Sequence, residues 1–186
     1  MTKVLFIVAL REEFRELPNK FPGVLAYSGI GKINASYVTT QMINKVKPEL
    51  IVNFGSVGRI SDIEKGLHEI ASVIERDFMA MPLSERGKVP FDDFPQEIYT
   101  GMQGVKCATG DSFVTSTEVW LTDQQVDVVD MELFAIAKVA TKMDIPWRSF
   151  KFVTDDSNQD SADEWQKNLK MADFEFNRVL NEIIIY

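Results

Sequence analysis

Three acidic residues stand where buried core elements begin or end, and they are the candidate chemical groups of this chain. Glu132 lies in the first turn of an apolar segment at residues 129–136, and Asp155 follows an apolar run that ends at residue 153. Glu13 lies near the start of the chain, after a third apolar run. Burying a carboxylate is costly unless a partner compensates its charge. Glu132 alone could cap its own helix and Asp155 alone could start a turn, but the three acids together indicate a functional site.

These acids suit the release of a heterocyclic base from a sugar. Asp155 could protonate the leaving group, Glu13 could activate a water molecule, and Glu132 could bind sugar hydroxyls. The transition state of that reaction resembles an oxocarbenium ion, so a leaving-group acid, a base for water and nearby negative charge all lower its energy. The residues therefore indicate carboxylate chemistry without a metal.

Metal sites and nucleophilic triads have weaker support in the sequence. His68 is the only histidine, and we expect it on the surface, away from the acids. Residues 156–160 imitate the start of a calcium loop, but Ser161 occupies the glycine position and Lys167 the position of the closing glutamate. Cys107 lies in a strand-like run and is expected to pack in the core. We therefore predict no metal site and no Ser–His–Asp triad.

The elements that must position the acids follow from the pattern of apolar residues. Continuous runs rich in branched side chains are typical of strands buried on both faces, and stripes with a period of 3.6 residues indicate helices. We predict strands at residues 4–8, 24–28, 50–54, 70–74, 105–109, 126–129 and 147–153. We predict helices at residues 11–17, 32–46, 131–143 and 161 to about 184, the last opened by a capping box. The apolar face of that last helix would carry Trp165, Leu169, Ala172, Phe176, Val179, Leu180 and Ile183. Strands and helices that alternate predict an α/β fold.

Small and polar residues follow four of the predicted strands, in the clusters 9–13, 55–58, 110–113 and 154–155. Ligands of open α/β sheets bind beyond the carboxyl ends of the strands, so we expect the clusters to meet in one crevice. Glycine-rich turns between strand and helix expose backbone N–H groups that suit an anion or a hydroxyl. As a phosphate loop, cluster 55–58 is weak, because it lacks the Walker lysine and a full dinucleotide fingerprint.

Length and composition exclude several classes of protein. At 186 residues the chain is predicted to be one domain, residues 1–186, with room for a substantial core. A formal charge of −8 argues against a nucleic-acid surface, and no apolar run approaches the length of a membrane span. The first residues lack the features of a signal peptide, and a lone cysteine cannot form an internal disulfide. We expect a soluble cytoplasmic protein.

Six short motifs occur in an order that resembles the nucleoside phosphorylase/nucleosidase superfamily, closest to its methylthioadenosine/S-adenosylhomocysteine nucleosidase branch. The motifs lie at residues 9–13, 28–35, 53–58, 109–114, 130–132 and 153–155. Each motif alone is weak, whereas six in the same order are specific. The resemblance implies a three-layer α/β/α fold around a mixed, mostly parallel sheet. It also implies hydrolysis of the N-ribosidic bond of a purine nucleoside, without a cofactor.

The resemblance implies roles for the charged residues. Glu13 would position or activate the water, Asp155 would protonate N7 of the purine, and Glu132 would bind the ribose hydroxyls. Lys151 falls where members of the family commonly carry an arginine near the water and the ribose. The lysine keeps the positive charge but loses the planar fork of hydrogen-bond donors.

Apolar and small residues would complete the binding site. Phe113 would stack on the base, Met131 would pack on the sugar, and Ser56 would lie near it. The other residues predicted to bind the substrate at these motifs are Val57, Gly58, Val114, Val153 and Thr154.

The stretch at residues 76–91 resembles a loop of the family that reaches the neighbouring subunit of a dimer. By register, Leu83 and Pro90 would close the partner's pocket for the 5′ substituent, so we expect a homodimer. The chain is shorter than typical members, and the helix and strand expected between residues 90 and 105 are largely missing from its pattern. The loop also lacks the usual histidine of the family, which leaves the 5′ substituent open.

Three other functions stay open. A phosphorylase needs cationic groups around its phosphate, and Arg11 and Arg59 both lie at predicted strand ends. Glu13 favours water activation and therefore hydrolysis. A futalosine-type hydrolase would apply the same chemistry to another nucleoside. A non-catalytic nucleoside-binding protein would have no chemical need for all three acids.

Overall fold

In the computed structural model, which describes residues 3–183, eight strands and four helices follow one another along the chain. The strands are β1 (Val4–Val8), β2 (Val24–Tyr27), β3 (Leu50–Arg59), β4 (Leu67–Glu75), β5 (Glu97–Tyr99), β6 (Val105–Thr109), β7 (Val128–Asp130) and β8 (Trp147–Asp155). The helices are α1 (Lys32–Val46), α2 (Val119–Asp123), α3 (Leu133–Lys142) and α4 (Ser161–Ile183). The predicted end of the last helix, near residue 184, lies outside the described residues. Within residues 3–183, no helix combines the length and the apolar character that a membrane span requires.

The strands form one mixed sheet in the order β2-β1-β3-β7-β6-β4-β5, and β8 pairs with both β3 and β4. Five of the strand pairings are parallel and three are antiparallel. Because β8 joins β3 to β4, the path β3-β7-β6-β4-β8 closes on itself. Helices α1 and α3 pack on one face of the sheet and α4 packs on the other. The predicted three-layer α/β/α fold with a mixed, mostly parallel sheet is confirmed.

Strand β1 is buried on both faces, as its continuous apolar run predicts. Leu5 and Ile7 pack with residues of α1 and α3, and the alternate side chains of the strand pack with residues of α4. On the α4 side, the ring of Phe54 stacks on that of Phe176 with centroids 4.7 Å apart. The apolar residues predicted for the face of α4 beyond residue 165 are all buried. This packing holds α4 against the strands that carry the predicted site.

The predicted helix at residues 11–17 is wrong, because this segment forms a turn followed by irregular chain. In a helix, the amides of Arg15 and Glu16 would donate to carbonyl oxygens four residues earlier. Here both amides donate instead to the carboxylate of Asp173 on α4, at 3.2 Å. A tertiary contact therefore decides the conformation of the segment that carries Glu13.

Strand β3 runs past its predicted end, so the cluster 55–58 is part of a strand and not a strand-to-helix turn. Its glycines allow close contacts with β8 and the residues after it. A Cβ at Gly55 would lie 2.8 Å from Nζ of Lys151, and one at Gly58 would clash with Oγ of Ser157. A larger residue at either position would therefore have to displace the end of the Lys151 or the Ser157 side chain.

The other differences concern the middle of the chain and the start of α4. Strand β5 lies in the region where the sequence pattern shows no strand, and α2 was not predicted. Helix α4 begins at Ser161 as predicted, but the capping box does not form. The Ser161 hydroxyl accepts from the amide of Asn158 at 2.7 Å, and the Glu164 carboxylate accepts from the amide of Asp156 at 3.3 Å. Both contacts tie α4 to the loop after β8.

Candidate active site

A cavity of about 340 Å³ lies at the carboxyl ends of β1, β3, β6, β7 and β8. Its volume suits a small organic ligand. Each of the clusters 9–13, 55–58, 110–113 and 154–155 contributes to its wall, so the strand ends meet as expected. Ten predicted site residues line the cavity: Glu13, Ser56, Val57, Gly58, Phe113, Val114, Met131, Glu132, Thr154 and Asp155.

Glu13 is buried and held by three hydrogen-bond donors, although it lies in a turn. Its Oε1 accepts from the amide of Ser56 at 2.8 Å and from the hydroxyl of Ser56 at 2.6 Å. Its Oε2 accepts from the amide of Leu10 at 3.0 Å. The Ser56 hydroxyl accepts in turn from the indole Nε1–H of Trp165 at 2.8 Å. A carboxylate has about four acceptor positions, so these three hydrogen bonds leave one acceptor position of Oε2 open among the described contacts.

Glu132 immediately precedes α3, but its side chain does not cap that helix. Its Oε1 accepts from the amide of Gly31 at 2.9 Å, which joins it to the start of α1. Asp130 provides the cap, because its Oδ2 accepts from the amide of Leu133 at 2.9 Å. Burial, together with the nearby charge of Asp130, raises the pKa of Glu132 to about 8. Glu132 therefore keeps its proton to a higher pH than an ordinary glutamic acid does.

An ion pair between Lys151 and Asp130 lies beside Glu132. Nζ of Lys151 donates to Oδ2 of Asp130 at 2.7 Å, and the hydroxyl of Thr109 donates to Oδ1 at 2.6 Å. Burial pushes the pKa of Asp130 upward, but the Lys151 ammonium and these hydrogen bonds outweigh burial and lower it below its ordinary value. The pair therefore stays charged, and it connects β6, β7 and β8.

Asp155 is the last residue of β8, and its side chain is 3% exposed. Its Oδ1 accepts from the amide of Ser157 at 3.0 Å, which is the turn contact that the sequence suggests, and Oδ2 accepts from the Thr154 hydroxyl at 2.9 Å. Burial raises the pKa of Asp155, and these hydrogen bonds offset part of the rise. A cavity-lining carboxyl with a raised pKa is suited to donate a proton.

Apolar side chains form the other walls of the cavity. Phe113 is half exposed, Val114 is buried, and Met131 lies between Asp130 and Glu132. The cavity therefore combines a few carboxyl groups with apolar surface, which is typical of sites that bind flat organic molecules. Within the described part of the chain, no group of three or more His, Cys, Asp or Glu side chains is arranged to hold a metal ion.

Four predicted site residues do not line this cavity. Lys151 and Val153 are buried within β8, and Lys151 donates to the cavity-lining Asp130. Leu83 and Pro90 lie in the long loop between β4 and β5, and Leu83 is 69% exposed. Their predicted place in a partner's pocket requires a second copy of the chain, so it stays a prediction.

Among the cavity-lining residues that have no role in the sequence prediction are Trp165, Asp130 and Arg76. Trp165 falls on the apolar stripe of α4, so the helical period predicts that it packs in the core. The indole N–H group is the one feature of this residue that could have indicated a polar contact. Asp130 lies in the motif at residues 130–132, but the sequence analysis gives this residue no role. Arg76 donates from two nitrogens to Ser112 and Gly110, and nothing in the local pattern marks it.

Comparisons with known proteins agree with this architecture. A curated 5′-methylthioadenosine/S-adenosylhomocysteine nucleosidase of Listeria monocytogenes is 29% identical over 180 residues, covering 80% of this chain and 75% of that protein. The fold is similar to that of a mutant 5′-methylthioadenosine/S-adenosylhomocysteine nucleosidase (MTAN) of Helicobacter pylori with 5′-methylthioadenosine in its active site. The TM-score is 0.85 at 18% identity, over 99% of this chain and 100% of that one. A futalosine hydrolase mutant of Helicobacter pylori gives the same TM-score, identity and coverage.

At these identities, the structural likeness shows the fold and leaves the substrate open. The family model of the phosphorylase superfamily is more specific, because it matches residues 13–185 and thus nearly the whole chain. The matched range includes the cavity from Glu13 to Trp165. The chain belongs to the phosphorylase superfamily.

Proposed function

We propose that this chain hydrolyses the N-ribosidic bond of a purine nucleoside of the 5′-methylthioadenosine/S-adenosylhomocysteine kind, releasing the free base and the ribose moiety. The observation that carries the proposal is that Glu13, Glu132 and Asp155 line the same cavity. The curated nucleosidase of Listeria monocytogenes supports the reaction type and the substrate.

Asp155 is the group proposed to protonate N7 of the departing base. Its pKa is raised by burial, so it holds a proton closer to neutrality than an ordinary aspartic acid does. Protonation removes the negative charge that would otherwise develop on the leaving group. Phe113 offers an aromatic face at the cavity wall on which the base can stack.

Glu13 is the group proposed to hold and deprotonate the attacking water at the open position on Oε2. The water oxygen forms a bond to C1′ of the ribose, and the bond from C1′ to N9 of the base breaks with its electron pair going to the base. One proton of the water passes to Glu13, and the proton of Asp155 passes to N7. Glu132 and Met131 would hold the ribose between these two groups, with Glu132 on its hydroxyls.

The positive charges of the site favour hydrolysis over phosphorolysis. Arg11 lies over the ring of Tyr27, and Arg59 pairs with Asp156 at 2.9 Å; neither lines the cavity. Among the described residues that do line it, Arg76 is the one cation, and two of its three side-chain nitrogens are already engaged by the loop after β6. The third nitrogen of Arg76 has no partner among the described residues, but a phosphate would still find one cation here rather than the several that a phosphorylase needs.

The proposal includes a homodimer in which Leu83 and Pro90 close the partner's pocket for the 5′ substituent. The loop between β4 and β5 exposes several apolar side chains, among them Phe91 at 97% and Leu83 at 69%. Clusters of exposed apolar side chains mark interaction surfaces. Light scattering should give twice the mass of the chain, and a monomer at working concentrations would contradict this part of the proposal.

A substrate panel tests the reaction directly. We expect release of free base from 5′-methylthioadenosine or S-adenosylhomocysteine in buffer without phosphate, and no acceleration when phosphate is added. Adenosine, inosine and futalosine complete the panel, since the fold is shared with a futalosine hydrolase. Strict dependence on phosphate would replace the hydrolase by a phosphorylase, and binding without base release would leave only a nucleoside-binding protein.

The variant Asp155→Asn tests the proposed acid. We expect its kcat to fall by about 10²- to 10⁴-fold, the usual contribution of a general acid, while the thermal unfolding midpoint changes little. Asp156→Asn is the matched control, because Asp156 pairs with Arg59 and Lys65 outside the cavity. Turnover near the wild-type rate in Asp155→Asn would remove Asp155 from the mechanism.

A further inference from the structure

Trp165 connects the last helix to the carboxylate proposed to activate water. It lies in the second turn of α4, is half-buried and lines the cavity. Its indole Nε1 lies 2.8 Å from Oγ of Ser56, and that oxygen lies 2.6 Å from Oε1 of Glu13. A packing residue needs no such contact, because a phenylalanine would fill the wall equally well.

The direction of each hydrogen bond in this chain of contacts follows from the chemistry of the groups. The indole N–H is a donor only, so the Ser56 oxygen must accept from it. The single hydroxyl proton of Ser56 is then free to point at Glu13, whose oxygen accepts it. Trp165 and Glu13 therefore fix the direction of the Ser56 hydroxyl together, one as its donor and the other as its acceptor.

Ser56 in turn determines which oxygen of Glu13 is free for water. Its hydroxyl and its amide together occupy both acceptor positions of Oε1. The amide of Leu10 occupies one position of Oε2 at 3.0 Å. The remaining acceptor position of Oε2 is where a water can bind. If Ser56 turned away, this selection would be lost.

We infer that Trp165 is a positioning residue for the hydrolysis, which acts through Ser56 to orient Glu13 toward the attacking water. The inference rests on the proposed function. It goes beyond that function because it makes the docking of α4 a condition of water activation. A second contact from α4 supports it: Asp173 accepts from the amides of Arg15 and Glu16, two and three residues after Glu13. Helix α4 is thus tied both to Ser56 and to the segment that follows Glu13.

The variant Trp165→Phe removes the N–H group and keeps an aromatic wall. We expect kcat to fall about 3- to 10-fold, the loss of one hydrogen bond, with KM within about twofold of wild type. Trp120→Phe is the matched control, because Trp120 packs under Arg86 away from the cavity. An unchanged kcat with a raised KM in Trp165→Phe would mean that Trp165 is only a wall, and would overturn the inference.

A double-mutant cycle tests whether Trp165 acts through Ser56. If it does, Trp165→Phe should cause no further loss of kcat in a protein that already carries Ser56→Ala. A second loss of the same size in that background would show that Trp165 acts independently, and would overturn the inference.

A third measurement does not depend on activity, so it separates this inference from the proposed function. The chain has three tryptophans, so its NMR spectrum should show three indole N–H signals, which Trp→Phe variants assign. In Ser56→Ala, the Trp165 indole proton loses its acceptor and should exchange with solvent several-fold faster. Unchanged exchange would refute the contact itself, whereas absence of base release from every nucleoside would refute only the proposed function.

Discussion

Two carboxyl groups of the same cavity lie in contrasting electrostatic surroundings. Glu132 lies beside a buried ion pair, and its surroundings raise its pKa to about 8. The donors that Glu13 receives from the described residues are neutral, two from Ser56 and one from Leu10. We call the first the charged corner (Asp130, Glu132 and Lys151) and the second the neutral corner (Leu10, Glu13, Ser56 and Trp165).

The two corners also differ in how their parts come together. The charged corner is built from the ends of β6 and β7, which pair in the sheet, the residue before α3, and the middle of β8, whose Lys151 reaches Asp130 through its side chain. The neutral corner joins a turn near the start of the chain to a helix near its end; the amide of Arg15 and its acceptor Asp173 are 158 positions apart. The charged corner should therefore respond to changes of charge, and the neutral corner to the docking of α4.

The largest expected effect tests the charged corner. Lys151→Met leaves Asp130 buried without its cation, so we expect the free energy of unfolding to fall by about 3–5 kcal/mol. Chemical denaturation measures this loss. Lys142→Met serves as the control, because Lys142 is half exposed and its ion pair with Asp92 should contribute less than about 1 kcal/mol.

A second substitution separates charge from packing in this prediction. Adding Asp130→Asn to Lys151→Met removes the unpaired charge and should recover part of the loss. If the double variant is no more stable than Lys151→Met, packing rather than charge holds the corner, and the comparison fails on that side.

The next effect concerns the pH dependence of stability. The pKa of Glu132 rises from about 4.5 in the unfolded chain to about 8 in the folded protein. Between these values the folded protein holds a proton that the unfolded chain has released, so stability falls as pH rises through this window. Each unit of pKa is equivalent to about 1.4 kcal/mol, so the loss between pH 5 and pH 8 should reach about 2–4 kcal/mol.

Glu132→Gln removes this titration. In thermal unfolding measured from pH 5 to pH 8, the variant should lose less stability than the wild type. The stability of the variant relative to the wild type should therefore be greater at pH 8 than at pH 5. Equal pH profiles for the two proteins would contradict a raised pKa of Glu132. The charged corner would then not differ from the neutral corner in its response to charge.

The smallest effect tests the neutral corner. Asp173→Ala removes the acceptor of the Arg15 and Glu16 amides, and because the site is partly open to water we expect a loss of about 1–2 kcal/mol in unfolding free energy. The kcat should fall as well, since the turn that carries Glu13 is released. Lys170→Ala, an exposed change on the same helix, is the control for both measurements.

The ranking of these losses is itself a test. A loss of stability from Asp173→Ala that exceeds the loss from Lys151→Met would reverse the comparison, because the neutral corner would then be the stronger one.

Much of the fold follows from local patterns. Strand β1 is predicted from a continuous apolar run, which reports burial on both faces, and the predicted strands at residues 105–109 and 147–153 correspond to β6 and β8. Helix α4 was predicted from a period of 3.6 residues, which reports one buried face. The predictions failed where a local pattern met a tertiary contact. Residues 11–17 turn toward Asp173 rather than forming a helix, and the glycines at 55 and 58 make room for Lys151 and Ser157 rather than ending β3.

The amino-acid sequence alone determined the three acids and their places after buried strands, because apolar runs reveal strands. Only the fold brings the end of β7, which is antiparallel to β3, to the same cavity as the ends of β1 and β8. Tertiary structure alone decided the partners of those acids. Trp165 and Ser56 belong to segments far apart in the chain, and one hydrogen bond between them leaves no periodic trace in either segment. Likewise, only the fold places Asp130 and Lys151 together and so shifts the pKa of Glu132, because desolvation and charge depend on distances in space.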